Sequence, residues 1–174
     1  MRASAMMRNP PGAAGAAIVI AIVGAAAMLG AFVFQYGLGL QPCPLCLEQR
    51  IAYYFAIPLA LLVVFAHRRG APRPLLAAGL VLIALAMLVN VGLGVYHSGI
   101  EWKFWPGPAD CSGPVTSLGR ASDLVRQLQN VTVVRCDEAA WRFLGLSLAG
   151  YNVLISLALA AIAAWGAARP RRPA

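Results

Sequence analysis

The chain has 174 residues, of which 60% are hydrophobic and only 11% are charged, and its formal net charge is +8. Soluble domains average about 45–50% apolar and about 25% charged residues, so this composition excludes an ordinary soluble globular protein. It predicts an integral membrane protein whose basic residues contact anionic lipid headgroups, and no nucleic-acid partner is needed to explain the charge.

Four apolar stretches are each long enough to form one membrane-spanning helix, because about 20 residues rising about 1.5 Å each cross the hydrocarbon core. They are residues 13–34, 45–66, 75–96 and 143–165. We therefore predict an all-α fold, a four-transmembrane-helix bundle that forms a single domain over 1–174. Its two outer loops are predicted at about 35–44 and 97–142.

The first stretch has a competing interpretation as a cleaved signal peptide, with Arg2 and Arg8 as its basic region. Its apolar run is longer than the roughly 7–15 residues of a signal sequence, and no clear small-residue cleavage site precedes a polar start. We expect a retained helix.

Basic residues near the ends of the spans predict the orientation, because Lys and Arg at these positions stay preferentially in the cytoplasm. The two tails and the loop between the second and third spans contain eight basic residues and no acidic one: Arg2, Arg8, Arg68, Arg69, Arg73, Arg169, Arg171 and Arg172. The remaining six basic and six acidic residues lie on the other side and sum to zero. We predict that both termini are cytoplasmic and that all four cysteines face outward.

The four cysteines form a close pair, Cys43 and Cys46, and a wide pair, Cys111 and Cys136. Outside the cytoplasm disulfides persist, and one interpretation is two structural disulfides that staple the outer loops. The C-x-x-C spacing of the close pair favours thiol–disulfide exchange instead, because such motifs can lower the thiol pKa.

Two prolines mark the start of the second helix immediately beside the close pair. Pro42 and Pro44 discourage helix before Leu45, so Cys46 is expected in the first turn. There the free N–H groups and the positive end of the helix dipole favour a thiolate, which makes Cys46 the predicted nucleophile of its pair.

Arg50 follows Cys46 by four residues and is predicted on the same helical face. A cation near the hydrocarbon core needs a partner, and the candidates are the Cys46 thiolate, Glu48 or an anionic form of an electron acceptor. The competing interpretation of Arg50 is an interfacial anchor that extends to the headgroups.

A zinc site is the other common meaning of clustered cysteines. Structural zinc sites usually present a second close pair, whereas Cys111 and Cys136 are far apart in sequence, with His97 as a further potential ligand. We predict no metal.

Three segments resemble the disulfide bond formation protein B (DsbB) family, the quinone-dependent thiol oxidases of the bacterial inner membrane. They are YGLGLQPCPLCLEQR at 36–50, YHSGIEWKFWPGPADC at 96–111 and RCDEAAWRFLGLSLAGYN at 135–152. The similarity extends from the first span to the fourth and includes the four cysteines, the arginine after the close pair and the loop histidine.

This resemblance implies a direction of electron flow. Cys111, disulfide-bonded to Cys136, would be attacked by a reduced periplasmic DsbA-like oxidase of the thioredoxin fold. Cys136 would then form a transient bond with Cys43 of the Cys43–Cys46 disulfide, and Cys46 would donate to a bound quinone, ubiquinone or menaquinone, from the membrane pool. Arg50 is implied to hold that quinone, with His97 as a further residue near it.

Two alternatives stay open. A vitamin K epoxide reductase-like enzyme also links a C-x-x-C motif to a quinone, but there the loop cysteines precede the motif. A non-enzymatic membrane scaffold with structural disulfides predicts instead that the close pair and Arg50 are dispensable.

Two further patterns predict local structure. Residues recurring at helical spacing in the second outer loop predict a short interfacial amphipathic helix: Leu118, Ala121, Leu124, Val125 and Leu128. Asn152 and Ser156 share one face of the fourth span and predict a polar seam.

Overall fold

The computed structural model of this protein describes residues 12–108 and 136–169. Four long helices are present in these ranges, and each is long and apolar enough to cross a membrane. Helix α1 (Ala13–Phe32) continues into a π-helical segment, Val33–Gly37, and is followed by α2 (Pro44–Arg68), α3 (Arg73–Glu101) and α4 (Leu148–Ala168). The predicted all-α bundle is confirmed, whereas the orientation of its termini stays a prediction.

The helices form a closed arrangement in which each packs against two neighbours. Helix α1 contacts α2 and α4, and α3 contacts the same two helices from the other side. Large apolar side chains such as Ile20, Leu80, Met87 and Leu159 fill the centre of the bundle. Many other Leu, Val and Phe side chains are exposed, as is expected for surfaces that contact lipid.

Two helix ends differ most from the predicted spans, and both differences change the bounds of the second loop. Helix α3 extends beyond residue 96 to Glu101, so His97 lies inside a helix and the loop predicted at 97–142 starts after Glu101. Helix α4 starts at Leu148 instead of 143, because Ser147 caps its N-terminus by accepting a hydrogen bond from the Gly150 N–H at 3.2 Å. Hydrophobicity alone does not locate such caps.

The apolar residues before α4 form a small hairpin instead of a helical turn. Strand β1 (Arg142–Phe143) pairs antiparallel with β2 (Leu146–Ser147). Between them Leu144 and Gly145 have φ angles of 49° and 84°, values outside the right-handed helical region. The predicted interfacial helix at 118–128 and Cys111 lie outside the described residues.

Close approach of α1 and α4 depends on Gly166. A Cβ atom on this residue would lie 2.5 Å from Ala16 Cβ and 3.1 Å from Leu80 Cδ1. We expect Gly166→Ala to destabilise the protein by about 1–3 kcal/mol, because the two helices must separate to admit the methyl group. Thermal unfolding in detergent micelles measures this effect.

Gly92→Ala is the matched control, because a Cβ there meets no atom within 4 Å. It adds the same methyl group to a membrane helix and reports the gain in helix propensity alone. Equal unfolding temperatures for the two variants would contradict the packing role of Gly166.

Candidate functional site

The close cysteine pair lies at the N-terminus of α2. Pro44 is the first helical residue and Cys43 is the N-cap, whose sulfur accepts a hydrogen bond from the Cys46 N–H at 3.3 Å. Cys46 therefore lies in the first turn, as its spacing from the prolines predicts. The Cys43 thiol also donates to the Cys46 sulfur, with 3.0 Å between the two Sγ atoms. A disulfide needs about 2.05 Å, so a movement of about 1 Å joins them.

The Cys43 sulfur lies close to Cys136 of the wide pair. Cys43 and Cys136 are both buried and pack with Leu45 and Ile100 in one small cluster. The Cys43 and Cys136 sulfurs and a ring nitrogen of His97 all lie within 4.8 Å of one another. The structure thus brings together residues that are more than ninety positions apart in sequence, at the place where exchange between the pairs is expected.

Hydrogen bonds to Cys46 and His97, together with burial, control the protonation of Cys43. The hydrogen bond to Cys46, as the main cause, and burial, as the second, raise the pKa of the Cys43 thiol to about 12. The contact with His97 acts in the opposite direction and lowers this pKa. Cys43 therefore keeps its proton and donates it toward Cys46. Negative charge on the reduced pair is consequently placed on the Cys46 sulfur.

His97 is buried in the last turns of α3 and is positioned from both sides. Its Nε2 atom lies 3.7 Å from Cys43 Sγ and 3.9 Å from Glu101 Oε1. Its Nδ1 atom is 2.9 Å from Nε2 of the Gln49 side chain. Sequence reasoning placed His97 at the start of a loop and did not identify Gln49 or Glu101. The i, i+4 spacing of His97 and Glu101 was the available signal.

A cavity of about 310 Å³ opens beside the close pair, on the side of Cys46. Most of its lining is apolar, and its polar side chains include Cys46 and residues of the first turns of α2. The apolar lining includes Ala27, Met28, Ala31, Phe34 and Ile155, and the polar lining includes Cys46, Gln49, Arg50, Tyr53, His97 and Asn152. An apolar pocket with a few convergent polar groups is typical of a small-molecule site.

Arg50 has a partner that the sequence did not suggest. Its Nη1 atom donates to Gln35 Oε1 at 2.6 Å, and its guanidinium carbon lies 5.5 Å from the centre of the Phe32 ring. Gln35 belongs to the π-helical segment that extends α1, a type of irregularity that is frequent at functional sites. Glu48, one of the predicted partners, is exposed. The cation is thus held at the cavity by a neutral amide and an aromatic face.

A polar network leads from the cavity into the bundle. Asn152 donates to Gln49 Oε1 at 2.6 Å, and the Tyr53 hydroxyl donates to Asn152 Oδ1 at 2.7 Å. Asn90 donates to Ser156 Oγ at 2.9 Å. The predicted polar seam of Asn152 and Ser156 is confirmed. Side chains of α2 and α3 form hydrogen bonds with both of its residues.

Comparison with known proteins identifies the family. The family model described as "Disulfide bond formation protein DsbB" matches residues 13–166. A disulfide bond formation protein B from Xanthomonas oryzae pv. oryzae is 32% identical over 139 residues, which cover 78% of this chain and 80% of that protein. The chain belongs to the disulfide bond formation protein B family.

Other relatives share the same extent of similarity. A disulfide bond formation protein B from a Polaromonas species is 30% identical over 130 residues, or 74% of each chain. An uncharacterized protein of Rickettsia prowazekii is 26% identical over 144 residues, which cover 82% of this chain and 80% of that protein. Family membership makes this a multi-pass membrane protein of disulfide bond formation, with the chemistry of a disulfide-forming oxidoreductase.

Proposed function

We propose that this protein is a thiol:quinone oxidoreductase of the bacterial inner membrane. It reoxidises a periplasmic DsbA-like disulfide donor of the thioredoxin fold and passes the electrons through two cysteine pairs to a membrane quinone. The observation that carries this proposal is the position of the Cys43–Cys46 pair between Cys136 on one side and the apolar cavity on the other.

The exchange steps follow from thiolate attack on a disulfide. A thiolate of the reduced partner attacks Cys111 of the Cys111–Cys136 disulfide and releases the Cys136 thiolate. Cys136 attacks Cys43, which breaks the Cys43–Cys46 bond and leaves a thiolate on Cys46. The partner's second thiol then releases Cys111 and completes the partner's disulfide.

Regeneration of the close pair completes the cycle. Cys111 attacks Cys136 of the Cys43–Cys136 bond and restores the wide disulfide, which leaves Cys43 and Cys46 as a reduced dithiol. This dithiol forms its disulfide again as its two electrons and two protons pass to a quinone. In the net reaction the partner's dithiol loses two electrons and two protons, and the quinone becomes the quinol.

The residues around the cavity suit a quinone. Bound there, a quinone supplies an acceptor for two electrons and two protons. The apolar lining from α1 and α4 accommodates a hydrophobic ring, and Arg50 opposes negative charge that develops beside Cys46. Gln49 and Asn152 add fixed polar groups that orient a ring bearing two carbonyl oxygens.

The distribution of charge supports an outward-facing site. Arg68, Arg69, Arg73 and Arg169 lie at the helix ends opposite to the close pair. Two contacts order part of this basic end, since Arg73 donates to the Arg169 carbonyl at 2.7 Å and the Arg169 guanidinium stacks on Trp165. The positive-inside rule assigns that end to the cytoplasm and the cysteines to the periplasm.

Purified protein in detergent, mixed with a reduced DsbA-like protein and a quinone, tests the proposal. We expect one quinone reduced for each disulfide formed in the partner, followed by quinone absorbance and thiol titration. Pre-oxidised partner is the control and supports no turnover. A scaffold with structural disulfides predicts no quinone reduction with either form, and that result would refute the proposal.

A further inference from the structure

We propose that the fully reduced protein binds one thiophilic divalent cation, with zinc as the reference ion, through Cys43, Cys136, His97 and Glu101. Cys43, His97 and Cys136 each place one ligand atom within 4.8 Å of the other two, and the Glu101 carboxylate lies beside His97. The site shares His97 with the cavity, but Cys43, Cys136 and Glu101 are not among the residues that line the cavity. Its existence does not depend on the proposed quinone chemistry.

The sulfur and nitrogen atoms of this cluster are spaced nearly as the ligands of a zinc ion are. In a tetrahedral zinc site, bond lengths of about 2.3 Å to sulfur and about 2.0–2.1 Å to nitrogen place neighbouring ligand atoms about 3.5–3.8 Å apart. The distance from Cys43 Sγ to His97 Nε2 is 3.7 Å. Cys136 Sγ lies within 4.8 Å of both atoms, and all three residues are buried. Small side-chain movements therefore produce a zinc-binding geometry.

The Glu101 carboxylate is buried, and one of its oxygens has no hydrogen-bond partner among the described residues. Its side chain is only 6% exposed, and Oε1 lies 3.9 Å from His97 Nε2, which is too far for a hydrogen bond. Its Oε2 atom is buried and has no hydrogen-bond partner in the described part of the chain. A buried carboxylate with one oxygen that accepts no hydrogen bond is unfavourable, and a cation bound beside His97 would compensate its charge.

The His97 ring is held in place by Gln49 through the nitrogen that does not face Cys43. Histidines that bind metals are held through their second ring nitrogen by a neighbouring polar group. Here the Gln49 amide contacts Nδ1 and leaves Nε2 directed at Cys43 and Glu101. A metal at Nε2 requires an Nδ1–H, so Gln49 must then turn Oε1 toward the ring, which replaces its present hydrogen bond from Asn152.

The redox state of the cysteines decides whether this site exists. Cys43 and Cys136 are ligands as thiolates, so binding to the two thiols releases two protons, and either disulfide removes a ligand. Cys46, whose sulfur is 3.0 Å from Cys43 Sγ, competes with Glu101 for the fourth position. Given the proposed function, a bound cation holds both sulfurs and blocks transfer between the pairs.

Cobalt(II) provides a spectroscopic test on the full chain in detergent, reduced with a phosphine. We expect one Co²⁺ per chain with the absorption of a tetrahedral thiolate site, and displacement of that ion by Zn²⁺. Protein oxidised at both pairs gives no such spectrum. An octahedral spectrum, or equal binding by oxidised protein, would overturn the proposal.

Variants of three ligands and two matched controls locate the ion. His97→Gln, Cys136→Ser and Glu101→Gln are each expected to weaken Zn²⁺ binding by about tenfold or more. His67→Gln and Glu48→Gln change the same residue types at exposed positions and leave the affinity unchanged. Unfolding curves identify any ligand variant that has lost its fold. The zinc affinities of the remaining ligand variants then test the proposal.

Undiminished binding by both His97→Gln and Cys136→Ser means adventitious binding by the C-x-x-C motif alone and overturns the proposal. Metal binding and quinone reduction are separate measurements. Turnover without a Co²⁺ site refutes the metal site alone, and a Co²⁺ site without turnover refutes the oxidoreductase alone.

Discussion

Cys46→Ser is expected to abolish quinone reduction by a reduced DsbA-like partner, lowering turnover by roughly a thousandfold or more. Among the described residues, Cys46 is the one cysteine that lines the cavity, and it receives a hydrogen bond from Cys43 that favours its thiolate. A serine hydroxyl occupies the same first turn but cannot form the disulfide or donate two electrons. Steady-state quinone absorbance measures the loss.

Leu47→Ala is the control for this variant, because Leu47 is the next residue of the same helical turn and is exposed. It removes side-chain volume from the start of α2 without touching either sulfur, so turnover is expected to stay close to that of the unmodified protein. Quinone reduction that persists in Cys46→Ser contradicts the relay. Electrons would then reach the quinone from another cysteine.

Arg50→Ala is expected to raise the apparent KM for quinone by about tenfold or more, since a hydrogen bond to a charged group contributes about 1.5–3 kcal/mol. The guanidinium lines the cavity and is held there by Gln35 and the Phe32 ring. Its removal leaves the sulfurs in place, so reduction of Cys111–Cys136 by the partner is unaffected. Turnover measured as a function of quinone concentration tests this.

Arg69→Ala is the matched control at the opposite end of α2, where Arg69 lies over the Phe65 ring. It removes the same charge and a similar aromatic contact far from the cavity, and its KM for quinone is expected to be unchanged. If Arg50→Ala has an unchanged quinone dependence, Arg50 is an interfacial anchor and not part of the acceptor site.

Several features of the candidate site could be predicted because they depend on neighbours in sequence. Pro44 starts α2, so Cys46 falls in its first turn, and Arg50 lies one turn further along the same helix. Asn152 and Ser156 share a face of α4 for the same reason and do form a seam. Helical periodicity is a local property, and these positions follow from it.

Other features depend on which helices become neighbours. Gln35 binds Arg50 because the end of α1 packs beside the start of α2. Gln49 contacts His97 because α2 packs against α3, and Glu101 lies beside His97 because α3 extends a further turn before it ends. The contacts of Gln35 and Gln49 have no signature in the sequence, because they join residues of different helices through packing. Only the i, i+4 spacing of His97 and Glu101 was a signal.

The prediction that the chain binds no metal stays a prediction, and it rested on spacing along the chain. Spacing argued against zinc because Cys136 is remote from the close pair in sequence and no second C-x-x-C motif is present. Packing of the segment at Cys136 against α2 and α3 brings its sulfur to Cys43 and His97. Distance along the chain therefore says little about ligand geometry once helices have assembled.

The sequence alone determined that this is a four-helix membrane protein with two cysteine pairs, because long apolar stretches and C-x-x-C spacing are properties of consecutive residues. The tertiary structure decided that Cys43 faces Cys136 and His97 while Cys46 faces the cavity. That division requires a specific rotation of α2 and specific neighbours for it. Both are set by side-chain packing between helices, in which small residues such as Gly166 determine how closely the helices approach.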